Sequence, residues 1–187
     1  MKALVHYLPW FILGVVGSVN WLLGTVGAVV ALLVVAIASR PHRLGVFDVA
    51  TLVFFAAVAL HAAVWPNAGQ TEWLHPISTA WMCVVALATV ACGRPFTIDY
   101  ANLSVPATVA ASPAFVAANR AASLWWAAAF AVIASDGALA IVVDHKAIGT
   151  AVAVVAVLGA ARASKQIAVA SVRPPRHEHG ARDARGL

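Results

Sequence analysis

The stretch ALVHYLPWFILGVVGSVNWLLGTVGAVVALLVVAIAS, residues Ala3–Ser39, runs for 37 positions without an Asp, Glu, Lys or Arg. A hydrocarbon core about 30 Å thick needs roughly 20 apolar helical residues to cross it. The stretch is therefore long enough for two crossings, roughly Leu4–Val19 and Trp21–Ser39, hinged at Ser18-Val19-Asn20. Apolar segments of the same kind follow at Val46–Trp65, Trp73–Cys92, Ala121–Val143 and Ala147–Ala163. The first and the last are short for a full crossing. All six are continuously apolar, whereas the strands of a membrane β-barrel alternate apolar and polar residues. The expected fold is all-α: a polytopic transmembrane helical bundle of about six spans.

Composition agrees. Hydrophobic residues make up 63% of the 187 positions and charged residues 10%, against about 25% charged in soluble domains. Mean hydropathy is +0.89. The length suits one bundle without a sizeable second domain. Formal net charge is +5, but the cations flank the apolar segments instead of lining one face, which argues against a nucleic-acid partner. Cys83 and Cys92 lie nine residues apart in one apolar run. On a helix that is about 13 Å of rise, beyond disulfide reach, so both read as small core residues. Lys2 followed by an apolar stretch resembles a signal peptide, yet the stretch continues into a second span without a cleavage site, and it is taken as retained.

The distribution of Lys and Arg sets the orientation. With both termini cytoplasmic, eleven of the twelve fall inside and only Lys146 falls outside, a strong bias by the positive-inside rule. Trp10, Trp21, Trp65 and Trp73 stand near segment ends, where indole rings favour the membrane interface. The helical domain is expected over residues 1–166, followed by a disordered basic cytoplasmic tail over 167–187. Within the domain, the connection over 93–119 contains Pro95, Pro106 and Pro113 and is expected along the cytoplasmic interface. Ser112-Pro113 fits an N-cap followed by proline at the first helical position, so a helix starting there runs through Arg120 into the fifth span.

Few side chains offer chemistry. Asp136 lies in the fifth apolar segment, and an acid at membrane depth is a functional candidate by default. Two readings stay open: a buried, polar-paired carboxylate, or an interfacial residue beyond a span that ends near Ser135, with Asp136–Lys146 a loose outer connection. His61 and His75 fall toward the same outer surface and, with Asp136, form a candidate polar cluster for a proton path or cation. The plainer reading makes them separate interfacial histidines. On the cytoplasmic side Arg94, Asp99 and Arg120 are candidate contacts for a lipid phosphate or a partner protein, or ordinary anchors. Gly24–Ala28 and Gly14–Ser18 are small-residue pairs that permit close helix approach. No Gly-rich phosphate loop, GxSxG elbow or Cys–His zinc spacing occurs. No catalytic residue, metal or cofactor is expected, and an enzyme is the less favoured class.

The order of features resembles the bacterial intracellular septation protein A family. It is carried by Tyr7-Leu8-Pro9 opening a tight hairpin, Arg40–Arg43, a third span reaching His61, and a fourth starting at Trp73. Arg94-Pro95-Phe96, the run NRAASLWW from Asn119 to Trp126, and Asp136 interrupting the fifth span complete it. The chain departs from that pattern in being richer in Ala and Val and poorer in charge. The resemblance implies an inner-membrane protein of the cell envelope or septation machinery that acts through other membrane proteins or self-association within the lipid bilayer. The rival expectation is a small-solute or ion transporter, or a substrate-capture subunit, with an outward-facing polar pocket.

Overall fold

The computed structural model describes residues 9–10, 12, 16, 21–38, 45–65, 71–102, 105–143 and 149–172, and every regular element among them is a helix. We number these elements α1 (Trp21–Ala38), α2 (Val46–Val64), α3 (Thr71–Ala91), α4 (Thr97–Ala101), α5 (Ala107–Ala110), α6 (Pro113–Val142) and α7 (Gly149–Val172). Of the first apolar segment only Pro9, Trp10, Ile12 and Val16 are described, all helical. The expected hinge at Ser18–Asn20, the basic residues Lys2, Arg40, Arg43 and Lys146, and the chain from Arg173 onward lie outside the described residues.

The boundaries follow local chemistry. Helix α3 ends at Gly93, whose φ of 72° is the left-handed conformation that costs glycine little. There the Arg94 N–H donates to the Thr89 carbonyl at 2.9 Å and the Gly93 N–H to the Val90 carbonyl at 3.1 Å, the paired bonds of a Schellman stop. At the start of α6, Ser112 is the N-cap: its hydroxyl oxygen accepts the Phe115 N–H at 3.2 Å, and proline occupies the first helical turn. The helix then runs 30 residues without a break, about 45 Å at 1.5 Å per residue. It passes through Asp136 and on to Val142, so the backbone there is helix and not a loose connection. Helix α7 runs to Val172, nine residues past the apolar segment read as ending at Ala163 and six past residue 166.

Among the described residues three helices are long and apolar enough to cross a membrane: α3 over Glu72–Ala91, α6 over its whole length, and α7 over Ala151–Ala168. Helices α1 and α2 carry shorter apolar stretches, Leu23–Val34 and Val46–His61. Helix α6 packs along α3 and along α7, α2 contacts α1 and α3, and α4 rests on α6. Helices α3 and α6 are antiparallel. Thr97, just past α3, meets Asn119 and Ser123 of α6, while His75 and Pro76, near the start of α3, meet Gly137.

The interior is aromatic. One cluster joins Phe47 of α2, Met82 and Ala86 of α3, Phe96, and Ala127 and Phe130 of α6. A second joins Ala28 and Leu32 of α1 to Phe54 and Phe55 of α2. Trp10 and Trp81 touch both. Trp10, half-buried, is packed against this core: its ring stacks on Phe54 at 5.7 Å and tilts against Phe55 at 4.9 Å. An indole suits an aromatic core as well as a membrane surface, and position near a segment end does not discriminate. Trp65 and Trp73 are exposed. Cys83 is half-buried as a core-edge residue, but Cys92 is exposed, a correction to its reading as core; both thiols are free. The outward faces are apolar too, with Leu60 66%, Leu139 61% and Val155 70% exposed.

Candidate functional site

The best-built polar site lies where α2 begins. Asp48, at the third helical position, reaches back so that its Oδ2 accepts the Gly45 N–H at 3.0 Å. That is half of a capping box. Gly45 has no side chain to supply the other half, and Asp99 of α4 satisfies a different free donor of the first turn: its Oδ2 accepts the Val46 N–H at 3.2 Å across 53 residues of sequence. Two carboxylates thus meet the positive end of one helix dipole. The close approach requires glycine, because a Cβ on Gly45 would stand 2.9 Å from Asp99 Oδ2.

Neighbouring bonds fix the segment that carries Asp99. The Tyr100 hydroxyl donates to Asp48 Oδ1 at 3.2 Å. The Phe96 N–H donates to Thr89 Oγ1 at 3.3 Å, and the Thr97 hydroxyl donates to the Asn119 carbonyl at 2.9 Å and lies 3.0 Å from Ser123 Oγ. Phe96, only 1% exposed, stacks on Phe47 at 4.8 Å. The site therefore ties α2, α3, α4 and α6 together at one end of the bundle. Of the three contacts anticipated here, Asp99 belongs to this cluster, whereas Arg94 and Arg120 are exposed at the same end.

At the opposite end α3 carries Pro76, which cannot donate to the Glu72 carbonyl. The Ser78 and Thr79 hydroxyls donate to the His75 carbonyl at 2.8 and 3.0 Å, a back-bonding that bends helices. Gly137 lies against this turn, so closely that a Cβ added to it would stand 3.4 Å from His75 Cδ2 and from Pro76 Cβ. The adjacent Asp136, half-buried, is near enough for its charge to act on the His75 ring. His75 and Asp136 are thus brought together. His61 sits near the end of α2, its ring 5.2 Å from that of Trp65 and its buried Nε2 without a hydrogen-bond partner among the described residues. Among the described residues no three His, Cys, Asp or Glu side chains gather closely enough to share a metal ion.

This geometry predicts how Asp136 responds to substitution. It makes no hydrogen bond with a described residue, and its imidazole neighbour is partly exposed, so the fold invests little in this carboxylate. Asp136→Asn and Asp136→Leu should then stay within about 0.5–1 kcal/mol of the parent, read as melting temperature in mild detergent. A much larger loss for leucine than for asparagine would reveal a hydrogen bond to the carboxylate and contradict this reading.

Sequence reading misses Asp48, Gly45 and the docking of Tyr100. An acid in the first turn directly after glycine is a recognisable helix-start signal, but Asp48 sits inside an otherwise apolar run that reads as a span. No family model, curated protein or solved structure matches the chain.

Proposed function

We propose that this chain is a small multi-pass protein of a bacterial plasma membrane, with six spans and both termini cytoplasmic. In this reading it acts as a scaffold or accessory subunit, and its helix faces hold other membrane proteins or further copies of itself. The observation that carries the proposal is the contrast between a filled interior and apolar outer faces. Phe47, Phe54, Phe55, Trp81, Phe96 and Phe130 occupy the space between α1, α2, α3 and α6. Large apolar side chains such as Leu60, Val84 and Leu139 remain on the outside, where a soluble monomer rarely exposes so much apolar surface. The resemblance to the septation protein A family directs the role toward envelope maintenance or septation. The lock at the start of α2 suits a protein whose task is to hold a shape.

Topology is tested first. A periplasm-active reporter inserted near Gly69 is expected to be active and one fused after Leu187 inactive, with the reverse for a cytoplasm-active reporter. Both sites reporting from one side would make the span count wrong by an odd number. Purification in mild detergent followed by mass spectrometry then asks whether defined membrane partners or additional copies come with the chain. A monomer that recovers no membrane protein reproducibly would remove the scaffold reading.

The His75–Asp136 pair favours a second reading, a small-solute or cation transporter. Under that reading Asp136→Asn abolishes flux in reconstituted vesicles while leaving the melting temperature nearly unchanged.

A further inference from the structure

Helix α7 leans on α6 and exposes nearly all of its apolar stretch, with only 6% of the Ala151–Ala168 window buried. Ala160, 2% exposed, marks its packed side. On the other side Ala151, Val155, Leu158, Arg162 and Lys165 are all exposed. At 3.6 residues per turn these five fall within a sector of about 80°, so one stripe is apolar over its first turns and cationic over its last. Arg162 and Lys165 make no ion pair with any described residue.

With Gly149 at one edge of the hydrocarbon core, Arg162 lies about 20 Å of helix rise beyond it and Lys165 about 24 Å, both short of a core about 30 Å thick. Long basic side chains reach toward the surface from such positions, and a counter-charge must meet them there. The chain does not supply it among the described residues. Asp48 and Asp99 are engaged at the start of α2, while Glu72 and Asp136 belong to the His75 end. The sequence after Val172 adds four arginines against two acids. A second copy in the same orientation would bring cations to cations.

We infer that this stripe of α7 is a binding site for an anionic phospholipid, its phosphate held between Arg162 and Lys165 and an acyl chain lying along Leu158, Val155 and Ala151. The site rests on the reading that α7 crosses the bilayer with its basic end at the cytoplasmic face. It gives the bundle a fixed anionic lipid on its peripheral helix, between the protein and whatever packs beside it.

The test uses the full chain in vesicles of phosphatidylcholine mixed with phosphatidylglycerol, extracted in mild detergent, with retained lipids counted by native mass spectrometry. The parent should retain phosphatidylglycerol in preference to phosphatidylcholine. Each cation near an anionic surface is worth roughly fivefold in affinity, so Arg162→Gln with Lys165→Gln should weaken retention roughly 30-fold. The exchange Arg162→Lys with Lys165→Arg should keep retention, as should Arg182→Gln with Arg185→Gln, which removes as much charge elsewhere. Equal retention by the parent and the double glutamine variant would overturn the proposal, as would a dimer that carries no lipid. Leu158→Cys, in a background with serine at positions 83 and 92, separates the two ideas. Protection from a water-soluble maleimide in vesicles keeps the crossing of α7 intact whatever the lipid result; labelling overturns the crossing and the lipid site together.

Discussion

Replacing Phe96 by alanine should cost about 3–5 kcal/mol, the range for removing a fully buried aromatic side chain. Phe96 belongs to no long helix, yet it is only 1% exposed. It stacks on Phe47 at 4.8 Å, meets Tyr100 edge-on at 6.5 Å, and joins Met82 and Phe130 in the same cluster. The loss combines the transfer of a buried ring with the cavity left behind. The neighbours cannot close it readily, because Phe96 N–H and Thr97 Oγ1 anchor the backbone on either side. Phe96→Leu keeps most of the volume and should cost less than about 1.5 kcal/mol. The measurement is thermal unfolding in mild detergent, where the alanine variant should melt roughly 10 °C below the parent. A variant melting with the parent would mean that the connection is not seated in the aromatic layer, and Asp99 would then lose its support.

That seating explains why some of the architecture is legible in the sequence and some is not. The helices are readable because long apolar runs end at strong local signals: Gly93 stops α3, and Ser112-Pro113 starts α6. The end of α7 is harder. The sequence ARASKQIAVASV leaves the apolar register at Arg162, but alanine, lysine and glutamine are good helix formers, so the helix outlasts its hydrophobicity. The end of an apolar register is not the end of the backbone hydrogen bonds, which run on to Val172. The meeting of Asp136 with His75 is one of the possibilities the sequence offers, because both fall at the same level of an antiparallel pair. The Asp99–Val46 bond is out of reach, since nothing local to either residue announces a partner 53 positions away. Trp10 shows the same limit, because its burial depends on Phe54 and Phe55 of another helix.

Asp48→Ala is the second large effect, expected at about 2–4 kcal/mol. Asp48 is 5% exposed and accepts from the Gly45 N–H and the Tyr100 hydroxyl. Its removal takes a charged acceptor from two donors at once, and a buried donor left without a partner, here the Gly45 N–H, costs about 1–3 kcal/mol. Loss of the charge from the first turn of α2 adds about 0.3–1 kcal/mol. Asp48→Asn retains one acceptor oxygen and should fall between alanine and the parent. Tyr100→Phe removes a single hydroxyl and should cost about 1 kcal/mol. Asp99→Ala should be milder than Asp48→Ala, because the Val46 N–H it leaves behind is exposed and water can replace the carboxylate. Because Asp48 and Tyr100 share one bond, the double variant should lose less than the sum of the singles. If Asp99→Ala proved the more damaging substitution, the anchor of the lock would be the connection and not the helix it caps. The four-helix junction would then depend on α4 reaching α2, so a partner or lipid that displaced α4 would loosen the bundle from that end.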